Sequence, residues 1–281
     1  MKVLVTGING QLGYDVVKKL EEKGHDVVPA GREQLDISNE ENVVTFINEV
    51  QPDAIIHCAA FTNVDGAETD KDTAYRVNGL GTKYLAHTAK KIGAKMVFVS
   101  TNYVFEGNGT EPYEVDHPTN PIGVYGETKL AGEKFLIENL AEYFIVRTSW
   151  VFGINGNNFV KTMLRLGKER GEVGVVYDQV GSPTYTVDLA SFLVELAESE
   201  EYGVYHASNS GICSWYEFAV EIFKQAGLDV KVNPLTTEQF PRPAARPKYS
   251  VMSTKKIGEK SFTPLRDWKE ALAAFLKEIK N

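Results

Sequence analysis

Over its first half, the chain alternates short apolar runs with longer stretches in which apolar residues recur at helical spacing. The apolar runs predict strands over residues 2–6, 26–30, 54–58, 95–100 and 143–147. The intervening stretches predict helices over residues 11–23, 40–50, 73–92 and 123–139. Strands that alternate with helices favour right-handed crossovers and a parallel sheet covered on both faces. The pattern therefore predicts an α/β protein with a Rossmann-type doubly wound parallel sheet.

Beyond Phe152 the pattern becomes less regular. It predicts short strands over residues 175–177 and 203–206, and helices over 187–199, 215–226 and 268–280. The proline-rich stretch 234–247 is followed by further structure, which favours an ordered loop over a linker. We therefore expect a dinucleotide-binding core over residues 1–152. Residues 153–281 are expected to form a smaller mixed α/β lobe that mainly binds substrate, with some segments returning to the core.

Three glycines stand between the first predicted strand and the first predicted helix. Gly7, Gly10 and Gly13 form a G-x-x-G-x-x-G pattern. Such glycines allow a tight turn, close approach of the backbone to a pyrophosphate and close helix–strand packing, with the pyrophosphate at the helix N-terminus. A glycine triplet alone is often only structural, but its position between strand and helix favours a dinucleotide site. The expected cofactor contacts are Gly7, Asn9, Gly10, Gln11, Leu12, Arg32, Asp36, Ile37, Ala59, Ala60, Thr62, Tyr125 and Lys129.

The end of the second predicted strand bears on the choice between NADPH and NADH. A carboxylate there would accept a hydrogen bond from the ribose of NAD, yet the sequence reads Pro29-Ala30-Gly31-Arg32. Arg32 can pair with the 2′-phosphate of NADPH, stack on adenine, or be a plain surface arginine. Asp36 can contact the adenine edge or belong to the first turn of a helix. The sequence therefore predicts NADPH or NADH as cofactor.

A tyrosine and a lysine at helical spacing suggest the reaction. Tyr125 and Lys129 are four residues apart, which places both on one face of the predicted helix. A nearby ammonium favours the phenolate, so we expect it to lower the tyrosine pKa and help the phenol to donate its proton near neutral pH. The lysine can also bind the nicotinamide ribose. Thr101, or the adjacent Ser100, would offer a second hydroxyl to a carbonyl oxygen.

Composition and charge exclude several other classes. The net charge of −8 and the pI near 5.3 argue against a nucleic-acid-binding protein. No apolar stretch is long enough to span a bilayer, and the first residues lack the layout of a signal peptide. The two cysteines, Cys58 and Cys213, imply no disulfide framework. We therefore expect a cytoplasmic protein with no membrane partner.

Other catalytic chemistries have weaker support. The sequence contains neither a G-x-S-x-G nucleophile motif nor a lysine after the glycines that would indicate a Walker A loop. His57 lies in an apolar strand and is expected to be a core residue. No metal is predicted, because the histidines show no metal-ligand spacing. They are His25, His57, His87, His117 and His206.

Several motifs spread over nearly the whole chain resemble the extended short-chain dehydrogenase/reductase superfamily and, within it, the dTDP-4-dehydrorhamnose reductases. The motifs occupy residues 7–13, 58–68, 100–107, 125–129, 147–153, 178–184 and 242–247. The resemblance implies reduction of dTDP-4-dehydro-6-deoxy-L-mannose to dTDP-L-rhamnose by NADPH or NADH. It implies that Thr101, Tyr125 and Lys129 form the catalytic triad. It also implies that Tyr103 and Trp150 line the sugar pocket, and Thr101 and Asn102 are expected beside the substrate.

The family pattern at residues 100–107 is S-T-D-Y-V-F-D-G. This chain departs from it at two positions, where Asn102 and Glu106 replace the two aspartates. Asn102 removes a charge beside the expected substrate site and leaves the triad intact. Some members of the family dimerise through magnesium bound by glutamates. Asp15 stands where one such glutamate would fall, so magnesium is not assigned, and the chain is expected to be a monomer or a homodimer.

The proline-rich segment supplies an independent argument for a nucleotide-sugar substrate. A diphosphate requires cationic partners, and Arg242 and Arg246 can clamp its oxygens, although both can also be surface charges. Two alternatives to the reductase remain. One is another nucleotide-sugar enzyme, such as a 4-epimerase or a 4,6-dehydratase. The other is a non-catalytic subunit resembling the regulatory beta subunit of methionine adenosyltransferase.

Overall fold

The computed structural model describes residues 1–280, and Asn281, the last residue of the predicted substrate lobe, lies outside them. The strands are β1 (Lys2–Thr6), β2 (Asp26–Ala30), β3 (Ala54–His57), β4 (Lys95–Thr101), β5 (Tyr143–Thr148), β6 (Val151–Phe152), β7 (Glu172–Val176), β8 (Val180–Gly181), β9 (Thr184–Tyr185), β10 (Gly203–His206), β11 (Cys213–Ser214) and β12 (Lys231–Leu235). The helices are α1 (Gln11–Glu22), α2 (Glu40–Val50), α3 (Val64–Thr69), α4 (Lys71–Tyr75), α5 (Gly81–Ile92), α6 (Val124–Asn139), α7 (Phe159–Arg170), α8 (Thr186–Glu198), α9 (Trp215–Ala226), α10 (Lys255–Glu259) and α11 (Trp268–Lys280).

The central sheet has six parallel strands in the order β2-β1-β3-β4-β5-β10. The strand order reverses between β1 and β3, which lie side by side and end together at Thr6 and His57. In open parallel sheets, ligands bind at the carboxyl ends of the strands beside such a reversal. The topology therefore places the glycine loop after β1 and the loop after β3 at one end of this crevice.

Helices cover both faces of this sheet, as the sequence pattern predicts. On one face, α1 and α8 pack against apolar side chains such as Val5, Ile56 and Val146. On the other face, α2, α5 and α6 pack against the alternate residues of the same strands, among them Leu4 and Ile55. Each inner strand is buried on both sides, which explains why these strands read as continuous apolar runs. The predicted Rossmann-type α/β fold is confirmed.

A third apolar cluster lies under the second part of the chain, where α7, α9 and α11 pack together with β7. β12 pairs with β7 as a separate parallel ribbon. β10 and α8 instead belong to the central sheet and its covering layer. The boundary at residue 152 between a cofactor core and a substrate lobe stays a prediction.

The elements differ from the sequence expectation in several places, and short elements such as α3, α10, β6, β8, β9 and β11 were not predicted. The helix predicted over 73–92 is interrupted by a π-helical turn over Arg76–Leu80, between α4 and α5. Helix α7 and strand β12 were not predicted, and β12 begins before the predicted loop 234–247 and overlaps its first residues. Pro234 lies within β12, where the ribbon has a single neighbour, and proline is tolerated on such edges. Within residues 1–280, no helix is both long and apolar enough to cross a membrane.

Candidate active site

The glycine loop forms a cradle against the start of the loop that follows β3. Gly7 adopts a left-handed backbone with φ of 72°. A Cβ there would lie 2.6 Å from the backbone nitrogen of Ala59, so only glycine fits. Helix α1 begins after Gly10 without a side-chain cap, which leaves its first backbone N–H groups available to a ligand. Because these donors lie at the strand-order reversal, the cradle fits the pyrophosphate of a dinucleotide.

Side chains of the cradle connect it to the loop after β6. The Gln11 amide oxygen accepts hydrogen bonds from the Gly153 N–H at 3.1 Å and from Asn158 at 3.0 Å. Asn155 donates to the carbonyl of Asn9 at 3.0 Å. The Gln11 side chain is therefore engaged within the protein, and Leu12 is buried in the core. These cross-links were not predicted, since the partners are far apart in sequence.

The residues after β2 divide into exposed and internally bonded ones. Arg32 is exposed, and within residues 1–280 its guanidinium makes no hydrogen bond or ion pair. Asp36 accepts hydrogen bonds from the backbone and hydroxyl of Ser38 at 3.0 and 2.7 Å, which lower the pKa of this carboxyl. Ile37 is buried in the core. The Asp36 carboxylate thus stabilises its own turn, while Arg32 is available to a ligand.

The segment after β3 is tied to the end of β1. The Ala59 N–H donates to the Thr6 hydroxyl at 3.1 Å, and this hydroxyl also bonds His57 Nδ1 at 2.7 Å. Burial and the charge of Lys129 lower the His57 pKa to about 3, so the ring is neutral. Ala60 is half-buried and Thr62 is exposed beyond it. His57 is therefore a hydrogen-bonded core residue, as expected.

Tyr125 lies in the first turn of α6, which is capped from outside the helix. The Glu68 carboxylate accepts a hydrogen bond from the Val124 N–H at 2.9 Å. The Tyr125 ring meets Tyr103 edge-on, with 5.4 Å between the centroids. Gly126 allows this contact, because a Cβ at that position would overlap the Tyr103 carbonyl. The cap and the close approach hold the Tyr125 phenol toward the end of β4.

The prediction that Lys129 lowers the Tyr125 pKa is wrong. Burial raises the pKa of Tyr125 to about 12, although the nearby hydroxyl of Thr101 opposes this shift. Burial also lowers the pKa of Lys129 to about 7, while the Glu133 charge raises it. Desolvation of the phenol thus outweighs the stabilisation of the phenolate by Thr101. The phenol is consequently protonated at neutral pH, which is the form a proton donor requires.

Lys129 is only 2% exposed and is held from two sides. Its ammonium donates to the Val99 carbonyl at 2.7 Å and lies 4.1 Å from the centroid of the Phe98 ring. Thr101, two residues beyond Val99, is buried at the end of β4 and accepts a hydrogen bond from the Tyr103 N–H at 3.2 Å. The three predicted catalytic side chains thus gather around the carboxyl end of β4.

Two buried residues near this group were missed by the sequence reasoning. Asn78, in the π-helical turn, exchanges hydrogen bonds with the Phe61 backbone at 2.8 and 3.1 Å and donates to Thr128 at 3.1 Å. Glu133, one turn after Lys129, accepts a hydrogen bond from Ser100 at 2.5 Å. In both cases the sequence places a polar residue on the buried face of a predicted helix. Such a residue requires a hydrogen-bond partner, and this could have marked both positions as candidates.

Among the predicted substrate residues, Asn102 and Tyr103 contact the catalytic group, and the two arginines lie near Tyr103. Asn102 is buried, and its amide oxygen accepts a hydrogen bond from the Thr101 hydroxyl at 3.3 Å. Arg242 and Arg246 both pair with Asp65, at 2.5 and 2.9 Å. The charges of Arg246 and Asp65 both act on Tyr103, which touches Tyr125. The arginines therefore lie near the candidate site, and Asp65 was not predicted to join them.

Trp150 adopts a left-handed backbone with φ of 48°, an unfavourable conformation for a large residue. Its indole stacks on Trp215 with 3.7 Å between centroids and an angle of 13°. Gly181 lies under the ring, since a Cβ there would be 2.7 Å from it. Such strain is concentrated at functional sites. Trp215 was not predicted, because it lies 65 residues away in sequence.

Among residues 1–280, no group of three or more histidine, cysteine, aspartate or glutamate side chains is placed to hold a metal ion. Asp15 is buried, and its Oδ2 makes no hydrogen bond within the described chain. His206 is also buried, and burial together with the Arg147 charge lowers its pKa to about 3. His206 is therefore a neutral core residue, and Asp15 is a buried carboxyl whose Oδ2 is unpaired within residues 1–280.

Comparison with known proteins agrees with this geometry. The family described as RmlD substrate binding domain matches residues 1–281. The spore coat polysaccharide biosynthesis protein SpsK of Bacillus subtilis (strain 168) is 44% identical over 277 residues, which cover 99% of this chain and 97% of that protein.

Two solved structures are closely similar. A dTDP-4-dehydrorhamnose reductase from Clostridium acetobutylicum has a TM-score of 0.98 at 48% identity and covers 100% of both chains. A dTDP-4-dehydrorhamnose reductase from Bacillus anthracis, in complex with NADP, has a TM-score of 0.96 at 46% identity and covers 99% of both chains.

The parallel sheet, the dinucleotide cradle and these relatives together define a nicotinamide-dependent oxidoreductase of the extended short-chain dehydrogenase/reductase class. More particularly, the chain belongs to the RmlD family, whose members include the dTDP-4-dehydrorhamnose reductases. The family resemblance seen in the sequence motifs is thereby confirmed.

Proposed function

We propose that this protein reduces dTDP-4-dehydro-6-deoxy-L-mannose to dTDP-L-rhamnose, with NADPH as the preferred cofactor. The observation that supports this most is the grouping of Thr101, Tyr125 and Lys129 at the end of β4, beside the glycine cradle. Full-length similarity to dTDP-4-dehydrorhamnose reductases supports the choice of substrate.

The protein would bind the cofactor by its pyrophosphate at the start of α1, with the nicotinamide end toward Lys129. The Gly7 and Gly10 backbone and the segment from Ala59 to Thr62 surround this position. Arg32 is exposed and uncommitted within the described chain, so it can pair with a 2′-phosphate. Bound NADPH supplies the hydride that goes to C4 of the sugar.

Tyr125 would donate the proton to the oxygen at C4. Because burial raises its pKa to about 12, the phenol remains protonated until negative charge develops on that oxygen. The Thr101 hydroxyl accepts a hydrogen bond from the Tyr103 N–H, and its own proton would turn from Asn102 to the same substrate oxygen. A charged Lys129 would stabilise the resulting phenolate, since an ammonium nearby favours the ionised form.

The nucleotide end of the substrate would lie on the arginine side. Arg242 and Arg246 would bind the diphosphate, and Trp150 would form a wall of the pocket. An arginine pair suits phosphate oxygens because each guanidinium offers several donors in one plane. Tyr103 lies between the arginines and Tyr125, so the sugar would span the distance from diphosphate to phenol.

An assay of NADPH oxidation tests this proposal directly. The purified protein would be given dTDP-4-dehydro-6-deoxy-L-mannose, its D-gluco diastereomer and a UDP-linked 4-keto sugar. The product would be identified by mass spectrometry and NMR. We expect turnover with the first substrate and formation of dTDP-L-rhamnose. Preference for another 4-keto sugar would reassign the substrate. No turnover with any of them, together with recovery of a stoichiometric protein partner, would favour a regulatory subunit.

A further inference from the structure

Glu133 lies on the buried face of α6, one turn after Lys129, and is 2% exposed. Its Oε1 accepts hydrogen bonds from the Ser100 hydroxyl at 2.5 Å and from Arg147 Nε at 3.0 Å. Its Oε2 accepts a hydrogen bond from Arg147 Nη2 at 2.7 Å. The carboxylate is therefore fixed by three donors from β4 and β5.

Arg147 is equally well satisfied. Its Nη1 donates to the Val115 carbonyl at 3.2 Å and lies 3.4 Å from His206 Nε2, and the guanidinium lies over the Phe105 ring. Burying two charges is costly, and replacing such a pair with apolar residues is often neutral or stabilising. A contribution to stability is therefore a weak explanation for this buried ion pair. Its position beside the catalytic group suggests a functional role instead.

The network connects α6 to the two strand ends that frame the candidate site. Ser100 and Arg147 are direct partners in the β4–β5 register, and Thr101 follows Ser100. Glu133 thus fixes the face of α6 that carries Lys129 to the strand that carries Thr101. A displacement of α6 along β4 would break its hydrogen bond with Ser100 and its ion pair with Arg147.

The groups around Lys129 show why the charge of Glu133 matters. The end of β3 contributes His57, which is neutral because burial lowers its pKa to about 3. The same segment contributes Cys58, whose thiol stays protonated because burial raises its pKa to about 12. β4 contributes the Val99 carbonyl and the Phe98 ring. On α6 itself, the Tyr125 phenol stays protonated because burial raises its pKa to about 12, and the Glu133 carboxylate is the neighbour that raises the Lys129 pKa most.

We propose that Glu133 is a positioning residue for the reduction, which keeps the buried Lys129 ammonium charged and holds it against the end of β4. Arg147 orients the carboxylate by pairing with both of its oxygens, and Oε1 also accepts the hydrogen bond from Ser100. This role rests on the proposed function of Tyr125 and Lys129.

The pH dependence of turnover tests this role. Glu133→Gln keeps the shape of the side chain and removes its charge, so Lys129 should lose its proton at lower pH. Removing a neighbouring opposite charge shifts a pKa by about 1 unit or more. We expect the alkaline limb of the pH profile of kcat to move to lower pH by that amount. At pH values above the shifted limb, kcat should be about tenfold lower than in the wild type. Glu138→Gln is the control, because Glu138 is exposed on the same helix.

A second variant covers the case in which Glu133→Gln fails to fold because Arg147 is left unpaired. The double variant Glu133→Gln/Arg147→Met removes both buried charges. It should still shift the alkaline limb downward, but by less than Glu133→Gln does, because loss of the Arg147 cation opposes the shift. A folded variant with lower kcat and an unshifted limb would overturn the proposal, since a purely structural role predicts that result.

An NMR titration separates this inference from the proposed function. With isotope-labelled lysine, the Cε resonance of Lys129 reports its ionisation in the protein without substrate. We expect the Lys129 pKa to fall in Glu133→Gln or in the double variant, relative to the wild type. An unchanged Lys129 titration would overturn the proposal even if the enzyme is active. A shifted titration in a protein that turns over no 4-keto sugar would reject the reductase reaction and retain the link between Glu133 and Lys129.

Discussion

Asp65 and Arg246 form an ion pair between two segments that are 181 residues apart, with 2.9 Å between Oδ1 and Nη2. The other carboxylate oxygen accepts hydrogen bonds from Arg242, and the Ala244 N–H donates to Oδ1 at 3.2 Å. Burial opposes ionisation here, but these donors and charges together lower the Asp65 pKa. One carboxylate therefore holds two cations beside Tyr103, with a net positive charge left for an anionic ligand.

This arrangement predicts unequal roles for the two arginines. The Arg246 side chain is 16% exposed, whereas that of Arg242 is 47% exposed. Truncating a partner of a buried charge costs more than truncating an exposed one. Arg246→Ala should therefore raise the KM for the nucleotide sugar more than Arg242→Ala does, with little change in NADPH affinity. Steady-state kinetics and calorimetry with dTDP would measure both effects.

The exposed Arg165→Ala on α7 serves as the control for these substitutions. If dTDP binding survives the double replacement of Arg242 and Arg246, these residues do not belong to the substrate site.

Arg32 should discriminate between the two cofactors. Losing a charge-assisted contact with the 2′-phosphate costs about 1.5–3 kcal/mol. Arg32→Ala should therefore weaken NADPH binding and leave NADH binding nearly unchanged, as measured by fluorescence titration. Arg170→Ala, at an exposed position of α7, is the control. Equal losses for both cofactors would indicate stacking on adenine instead.

Tyr125→Phe tests the proton donor. The change removes the hydroxyl and little volume, so the melting temperature and the NADPH affinity should stay close to the wild-type values. General acid catalysis contributes about 10²–10⁴-fold, and kcat should fall by that order. Tyr14→Phe, at an exposed tyrosine of α1, controls for loss of a phenol elsewhere. A near wild-type rate in Tyr125→Phe would disprove the assigned role.

The buried histidines should make stability depend on acidity. His57 and His206 have pKa values lowered to about 3 by burial, whereas an unfolded histidine titrates near 6.5. Between these values the unfolded chain binds more protons, so stability falls as the pH drops. Each histidine contributes up to about 1.4 kcal/mol per pH unit.

Urea unfolding measured between neutral and acidic pH would test this dependence. His57→Asn keeps an acceptor near Thr6 and should flatten the slope, while the exposed His87→Asn should not. An unchanged slope in His57→Asn would show that this ring is protonated in the folded state.

Asp15 is expected to reduce stability at neutral pH. Burial raises its pKa, the nearby Thr186 hydroxyl opposes the shift, and the Glu278 charge adds to it. A carboxyl with a raised folded pKa favours the protonated form, so its ionisation lowers stability as the pH rises above the unfolded pKa.

Asp15→Asn should consequently stabilise the protein at pH 8 by about 1 kcal/mol, the low end of the cost of an unsatisfied buried group. The gain should shrink as the pH approaches 4. Asp26→Asn, at an exposed carboxylate of β2, should change little. A destabilised Asp15→Asn at pH 8 would mean that the carboxylate has a partner there.

The sequence determined the features that depend on local pattern. The strands of the central sheet read as continuous apolar runs because both of their faces are buried. The spacing of Tyr125 and Lys129 placed them on one helix face, and Gly7 reflected a backbone approach that only glycine permits. Because sequence spacing fixes these relationships, they could be read before any tertiary contact was known.

Only the tertiary structure decided which distant side chains share an environment. Asp65 meets Arg246, and Trp150 stacks on Trp215, through contacts that no local period encodes. The expected direction of the Tyr125 pKa shift was wrong for the same reason. The sequence shows the nearby lysine, but it cannot show that the phenol is buried, and burial raises the Tyr125 pKa. Desolvation and long-range pairing depend on how the layers pack, so the electrostatics of the site follow from the fold and not from the motif.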